Sequence, residues 1–216
     1  MEIAIQIPGV RLGIVESDSV AVAPADAALV REMDEVCEML RKRFTVESLA
    51  EYEPILAVRA MFRGWGLDPS KYRPSAEALL RRVVQSKGLY HVCNVVDAGN
   101  LGSIETGWPY GIYNRAAIQG EVCLRLGAQS EKYEGIGRLV WHLEGRPALA
   151  DALGPFGSPI SDSTRTQVTE AAREILAVIY APATAPIAAI KAAAEKLAHR
   201  LEIHASAQPA SVQTAS

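Results

Sequence analysis

The sequence predicts an α+β protein. Apolar residues recur at helical spacing in several separate stretches, strand-like runs of β-branched residues lie both before and after them, and no regular strand–helix alternation links the two. The expected architecture is a mixed central sheet flanked by helices, with a helical flank near the N-terminus and a closing helix near the C-terminus.

Each element has its own signal. "EIAIQI" and "VRLGIVESDSVAVA" alternate around a Pro-Gly turn and read as two strands. Leu29, Val30, Met33, Val36, Cys37 and Leu40 mark one face of a helix over roughly 25–43. A second helix falls within 47–64, with Pro54 near its start, where a missing amide is tolerated. In "PSAEALLRRVVQSKG" Ala76, Leu79, Leu80 and Val83 line a third helix, Glu77 and Arg81 stand four apart as a surface ion pair, and Gly88 supplies a stop. "EVCLRLG", "RLVWHLEG" and "REILAVIYA" are strand-like runs set between Gly, Ser and Asp clusters. A last helix carries Ile187, Ile190, Ala194, Leu197 and Leu201 as its buried stripe. "ASAQPASVQTAS", residues 205–216, is polar and of low complexity; it reads as a disordered tail, leaving 1–204 as one domain.

The 216 residues, 49% hydrophobic and 22% charged, suit one soluble compact unit. The N-terminus lacks a charged leader and a cleavage site, and apolar runs are short, so a cytoplasmic location without a membrane partner is expected. Cys37, Cys93 and Cys123 are too few for a disulfide framework, and without a C-x-x-C pair they read as reduced thiols; no metal and no cofactor is expected. A net charge of −3 argues against gripping nucleic acid by overall charge. Locally the balance reverses: Arg59, Arg63, Lys71, Arg73, Arg81, Arg82 and Lys87 face only Asp68 and Glu77. That run serves either solubility or a phosphate-bearing partner.

Standard catalytic signatures are missing: there is no G-x-S-x-G, no phosphate-binding loop and no H-E-x-x-H. His91 with Cys93 is at most half of a metal site or dyad. The unusual stretch is "NVVDAGNLGSIETGWPYG", Asn94 to Gly111. Asn94 suits a helix cap, Asp97 favours the positive end of the helix dipole, and Gly107 suits the stop. Gly99, Asn100 and Gly102 then fall inside a helix they weaken, glycine by roughly 0.5–1 kcal/mol relative to alanine. Two readings account for this. Either a ligand approaches the backbone there, with Trp108 and Tyr110 as the rim of a cleft, or helix and sheet pack so tightly that only small residues fit.

The stretch from Arg73 to Gly127 resembles the B3/B4-type editing domain of the phenylalanyl-tRNA synthetase β subunit and free-standing proteins built on it. The resemblance rests on Asn94, Val95-Val96-Asp97, Asn100, the Pro109–Gly111 turn and the Gly120–Arg125 strand, with "SDSTRTQVTEAAREILAVIY" as the closing segment; it covers about residues 70–182. It implies the B3/B4 fold and a trans-acting deacylase that clears a wrongly attached amino acid from the tRNA 3′ end, the second sieve that aminoacylation needs. A non-catalytic module binding tRNA, an amino acid or a small metabolite is the alternative.

In the synthetase, tyrosine is read by a Thr-Asn pair, a histidine in the turn and a glutamate. Here Asn100 keeps the asparagine, while Gly99 and Gly111 stand at the threonine and histidine positions, and the glutamate position falls near Gly137. Tyrosyl-tRNA(Phe) is therefore not the expected substrate, because selection of a hydroxyl needs buried polar partners. The resemblance thus implies Asn94 and Asn100 orienting the ligand, Gly99 and Gly111 as an enlarged pocket floor, Trp108 and Tyr110 as rim, and Thr164, Arg165 and Thr166 as the opposite wall. Arg165 meets either the adenosine phosphate or a surface carboxylate. Arg73, Arg81 and Arg82 would hold tRNA.

Overall fold

Eight consecutive buried residues, Ile175–Pro182, form the strand β9 around which the chain is arranged; no charged side chain interrupts it, as expected of a strand covered on both faces. The computed structural model describes residues 1–137 and 139–215. β9 pairs antiparallel with β2 (Val10–Ser19) on one side and β3 (Tyr110–Asn114) on the other, and β10 (Gln208–Ala215) joins the outer edge of β2. A second sheet runs β1 (Ile3–Ile5), β4 (Val122–Leu126), β7 (Pro147–Asp151), β8 (Gly154–Gly157), with β1 parallel to β4 and the others antiparallel. β5 (Lys132–Glu134) and β6 (Val140–His142) make a small hairpin.

Alternation along β9 sorts the core into layers. Leu176, Val178 and Tyr180 face Ile3, Leu124, Leu149 and Phe156 of the second sheet, closed at one end by Val58 and Phe62 of α2 (Glu53–Gly64). Ala177 and Ile179 face the other way, onto Val95 and Ala98 of α4 (Asn94–Thr106) and Leu197 and Leu201 of α5 (Ile187–Ala205). A third cluster joins α1 (Ala27–Arg43) and α3 (Ser75–Val84) to Leu101 and Ile104 of α4. Local chemistry sets the helix ends. Asp26 accepts from the amides of Ala28 and Leu29 at 2.8 Å, and Arg41, Lys42 and Arg43 occupy the last turn of α1. α4 stops where Gly107 turns left-handed at φ 72°.

The fold is α+β, with helices on the outer face of the β9 sheet and a helical flank at α1–α3. Several sequence expectations are corrected. Residues 208–215 of the supposed tail form β10, because a polar strand needs no core when a neighbour's backbone offers its hydrogen bonds; residue 216 lies outside the described residues, as does residue 138 in "RLVWHLEG". Ile187, at the first turn of α5, is 52% exposed, while Ile190, Ala194, Leu197 and Leu201 are buried. Glu77 does not pair with Arg81; it points inward and bonds Arg59, at 2.6 and 2.8 Å. Among the described residues no helix is long and apolar enough to cross a membrane.

Asn94 holds α4 in place. Its Oδ1 accepts from the amides of Ala23 and Val95, and its Nδ2 donates to the carbonyls of Ala21 and His204, all between 2.7 and 3.0 Å. One 3%-exposed side chain thereby ties α4 to the segment after β2 and to the end of α5. Asn94→Ala leaves several buried groups unpaired and is expected to cost about 3 kcal/mol of unfolding free energy in urea titration. A loss below about 0.5 kcal/mol would show that these bonds are replaceable.

Candidate functional site

The two glycines inside α4 are there for β3. A Cβ at Gly99 would come within 2.8 Å of Ile112 Cδ1, and one at Gly102 within 2.8 Å of Tyr110 Cε2. Helix and strand approach so closely that only hydrogen fits at both positions, which answers the weakness of the helix by packing. Asn100, between them, points elsewhere: it is half-buried and lines a cleft of about 530 Å³. No described residue hydrogen-bonds its amide.

The cleft lies between α3 with the turn after it, the α4–β3 pair, and the loop from β8 toward β9. Arg73, Arg81, Arg82 and Lys87 line the first wall, Asn100 and Tyr110 the second, Ile160 and Asp162 the third. The burial of Glu77 explains why these cations are available. With that carboxylate taken by Arg59, and by Arg73 at 3.6 Å, Arg81 has no carboxylate partner among the described residues. The Arg82 guanidinium lies 4.0 Å from the ring centroid of the half-exposed Tyr90, and its Nε is buried without a described partner.

Asp162 is the acidic exception. Its Oδ1 accepts from the Tyr113 hydroxyl at 2.8 Å and the Ser158 amide at 3.3 Å, while Oδ2 has no partner among the described residues. Burial pushes this carboxyl up to about 7, with the Tyr113 and Ser158 hydrogen bonds opposing the rise. Tyr113 is fully buried, stands edge-on to Phe156 at 5.1 Å and meets the Tyr180 hydroxyl at 3.0 Å. Burial raises its phenol well above the ordinary value, so it remains a donor. Its ring covers Gly111 and Gly157, at either of which a Cβ would collide with it.

These contacts revise the residue roles. Arg73, Arg81, Arg82, Asn100 and Tyr110 do converge on one cleft. Gly99 and Gly111 do not floor it: the space their missing side chains leave is filled by Ile112 and Tyr113, so nothing is enlarged. Asn94 is closed off in its structural bonds. Trp108 packs among three core clusters instead of forming a rim. The Thr164–Thr166 turn lies outside the cleft: Thr164 bonds the Glu134 carbonyl, buried Thr166 bonds the Phe156 carbonyl, and Arg165 bonds Asp151 and the carbonyls of Ala117 and Gly154. Arg165 is thereby committed to a carboxylate on the protein.

Sequence reasoning passed over Asp162 and Tyr90 as site residues, and singled out Lys87 only as part of the longer basic run. Asp162 stands two positions before the Thr-Arg-Thr run, in a Ser- and Pro-rich loop whose polarity was its only signal. Cys93 is buried and its thiol is pushed up by that burial, which removes it as a nucleophile. No group of three metal-ligating side chains occurs among the described residues. A second groove, of about 660 Å³ between α2 and the turn after β9, is lined mainly by apolar side chains such as Leu56, Ala57, Ala60 and Met61.

A carboxyl raised in the folded state binds more protons than the unfolded chain between the ordinary aspartate value and 7, so it costs stability increasingly as pH rises through that window. Asp162→Asn keeps an acceptor for Tyr113 and Ser158 without the charge. Its melting temperature relative to the parent should therefore climb from pH 5 to pH 8, as scanning calorimetry would record; a flat difference would mean that Asp162 is not raised.

A family model of the B3/4 domain matches residues 57–207, and so takes in the cleft walls and β9. The phenylalanine–tRNA ligase β subunit of Tropheryma whipplei (strain Twist) is 35% identical over 98 residues, which are 44% of this chain and 10% of that subunit. The chain thus spans a small part of that relative's length. A crystallised N-terminal fragment of the phenylalanyl-tRNA synthetase β subunit from Pyrococcus horikoshii superposes on 99% of this chain and 50% of its own, with 12% identity and a TM-score of 0.45. With more than two thirds of its length matched by the family model, the chain belongs to the B3/4 domain family.

Proposed function

We propose that this protein acts in trans on aminoacyl-tRNA, taking the charged 3′ end into the cleft beside α4 and hydrolysing the ester of a wrongly attached amino acid. The observation that carries this reading is the convergence of Arg73, Arg81, Arg82 and Lys87 on the same cleft as the unpaired Asn100 amide. Guanidinium groups without carboxylate partners suit phosphodiester oxygens, and Tyr90 beneath Arg82 offers a face on which a base can stack. Names of relatives that include tRNA ligation support the same class of ligand.

The cleft suggests how the ester would be opened. Water attacks the carbonyl carbon, the carbon–oxygen bond to the ribose breaks, and the proton given up by water reaches the ribose oxygen as it leaves. Asn100 Nδ2 is suited to donate to the developing oxyanion, which is worth most in a site shielded from bulk water. No polar reader for a tyrosine hydroxyl is supplied at positions 99 and 111, where Ile112 and Tyr113 fill the space. The substrate is therefore an ester other than tyrosyl-tRNA(Phe).

The test is a panel of purified mischarged tRNAs incubated with the protein. One or more esters should be cleared, tyrosyl-tRNA(Phe) only slowly. Asn100→Ala should reduce turnover about tenfold or more with an unchanged melting temperature, the loss of one hydrogen bond to a charged group. Replacing Arg81 and Arg82 together by alanine should weaken tRNA binding and flatten its log–log salt dependence by about one to two. Tight tRNA or amino-acid binding without hydrolysis of any ester would leave a binding module as the function, and selective clearance of tyrosyl-tRNA(Phe) would overturn the substrate assignment.

A further inference from the structure

We infer that Asp162 is the receptor for the free α-ammonium group of the esterified amino acid, so that the cleft admits aminoacyl but not N-acylated ends. The inference rests on the reading of the cleft as an aminoacyl-nucleotide site and adds its selectivity.

The charge arrangement requires a ligand of two signs. Three arginines and a lysine form one wall, and across from them stands Asp162, the only carboxylate among the described residues lining the cleft. A purely anionic ligand would meet the cations and be repelled by the carboxylate. An aminoacylated nucleotide carries a phosphate and, at the far side of the ester, a primary ammonium, and so matches both walls. The ammonium must exchange its water for acceptors on entering, and only an ionised carboxylate compensates a buried cation fully.

The geometry around Asp162 leaves one atom for this. Both bonds that the protein makes to the carboxylate, from the Tyr113 hydroxyl and the Ser158 amide, go to Oδ1. Oδ2 is without a described partner and belongs to a residue that lines the cleft. The carboxylate is also rigidly aimed: Tyr113 is locked by Phe156, Tyr180 and the two glycines under its ring. A group held this firmly on one oxygen and offered by the other is built to receive a donor.

N-acylation removes both the charge and two of the donor hydrogens of the amine. Chains carrying a blocked amino terminus, as initiator and growing-peptide esters do, would therefore be spared, and hydrolysis confined to freshly charged tRNA.

The test uses the full chain and a hydrolysis-resistant probe, 3′-deoxy-3′-(L-alanylamino)adenosine 5′-monophosphate, against its N-acetyl derivative, with binding followed by calorimetry. Alanine keeps the side chain from limiting the fit. The free amine should bind the parent protein about 10- to 100-fold more tightly than the acetylated probe, as a charge-assisted hydrogen bond warrants. Asp162→Asn should bind the acetylated probe at least as tightly as the parent does, which reports an intact fold, and should bind the two probes equally. Equal affinities in the parent, or a preference for the amine that survives in Asp162→Asn, would overturn the inference. If neither probe nor adenosine monophosphate binds the parent, the aminoacyl-nucleotide reading falls with it. An amine preference that depends on Asp162, together with inertness toward every aminoacyl-tRNA, would uphold the inference and reject hydrolysis alone.

Discussion

A phenol at full burial must keep its hydroxyl bonded, and much of this structure follows from how Tyr113 meets that requirement. Its ring fits between the two four-stranded sheets only because positions 111 and 157 carry no side chain. Its hydroxyl then needs an acceptor, which Asp162 supplies, and a neighbour, which is Tyr180 on β9. The loop from β8 is thereby drawn over the end of β3, and Asp162 is brought opposite the arginines of α3. Core packing and site geometry are one problem here: the residue that fills the gap between the sheets also aims the carboxylate.

The helices were legible because their stripes follow one period over many residues: Leu29, Met33, Cys37 and Leu40 are buried as their spacing requires. The strands β3, β7 and β8 were not, since each is short and carries Gly or Pro, which read locally as turns. α4 shows the limit from the other side. Its weak composition correctly announced an unusual neighbourhood, but a glycine next to a ligand and a glycine next to Ile112 leave the same mark in a sequence. Of the two readings, packing holds for Gly99 and Gly102, and cleft exposure for Asn100, which lies between them.

The basic cleft turns on Glu77 in a comparable way. Four-residue spacing pairs it with Arg81, a rule for helix surfaces, whereas Glu77 faces the interior at 1% exposure and is held by Arg59 from α2. A long-range partner has displaced a local one. Because burial of an ion pair is sustained only when both charges are bonded, the arrangement both fixes α2 against α3 and leaves Arg81 at the cleft with no carboxylate partner among the described residues. Nothing in the spacing could reveal which arginine would win, and Asp162, alone in its loop, had no periodic context at all.

The central place of β9 also bears on how the chain is made. Val10 faces Pro182 and Ser17 faces Ile175, so β2 is synthesised long before the strand that covers it, and β3 waits for the same partner. Such distant pairing slows folding and exposes nascent apolar edges to wrong contacts. The helical flank can gather locally as it leaves the ribosome, but neither sheet face of the β9 layer closes until β9 itself has been made. The interval between the synthesis of β2 and that of β9 is when β2 most needs protection from other chains.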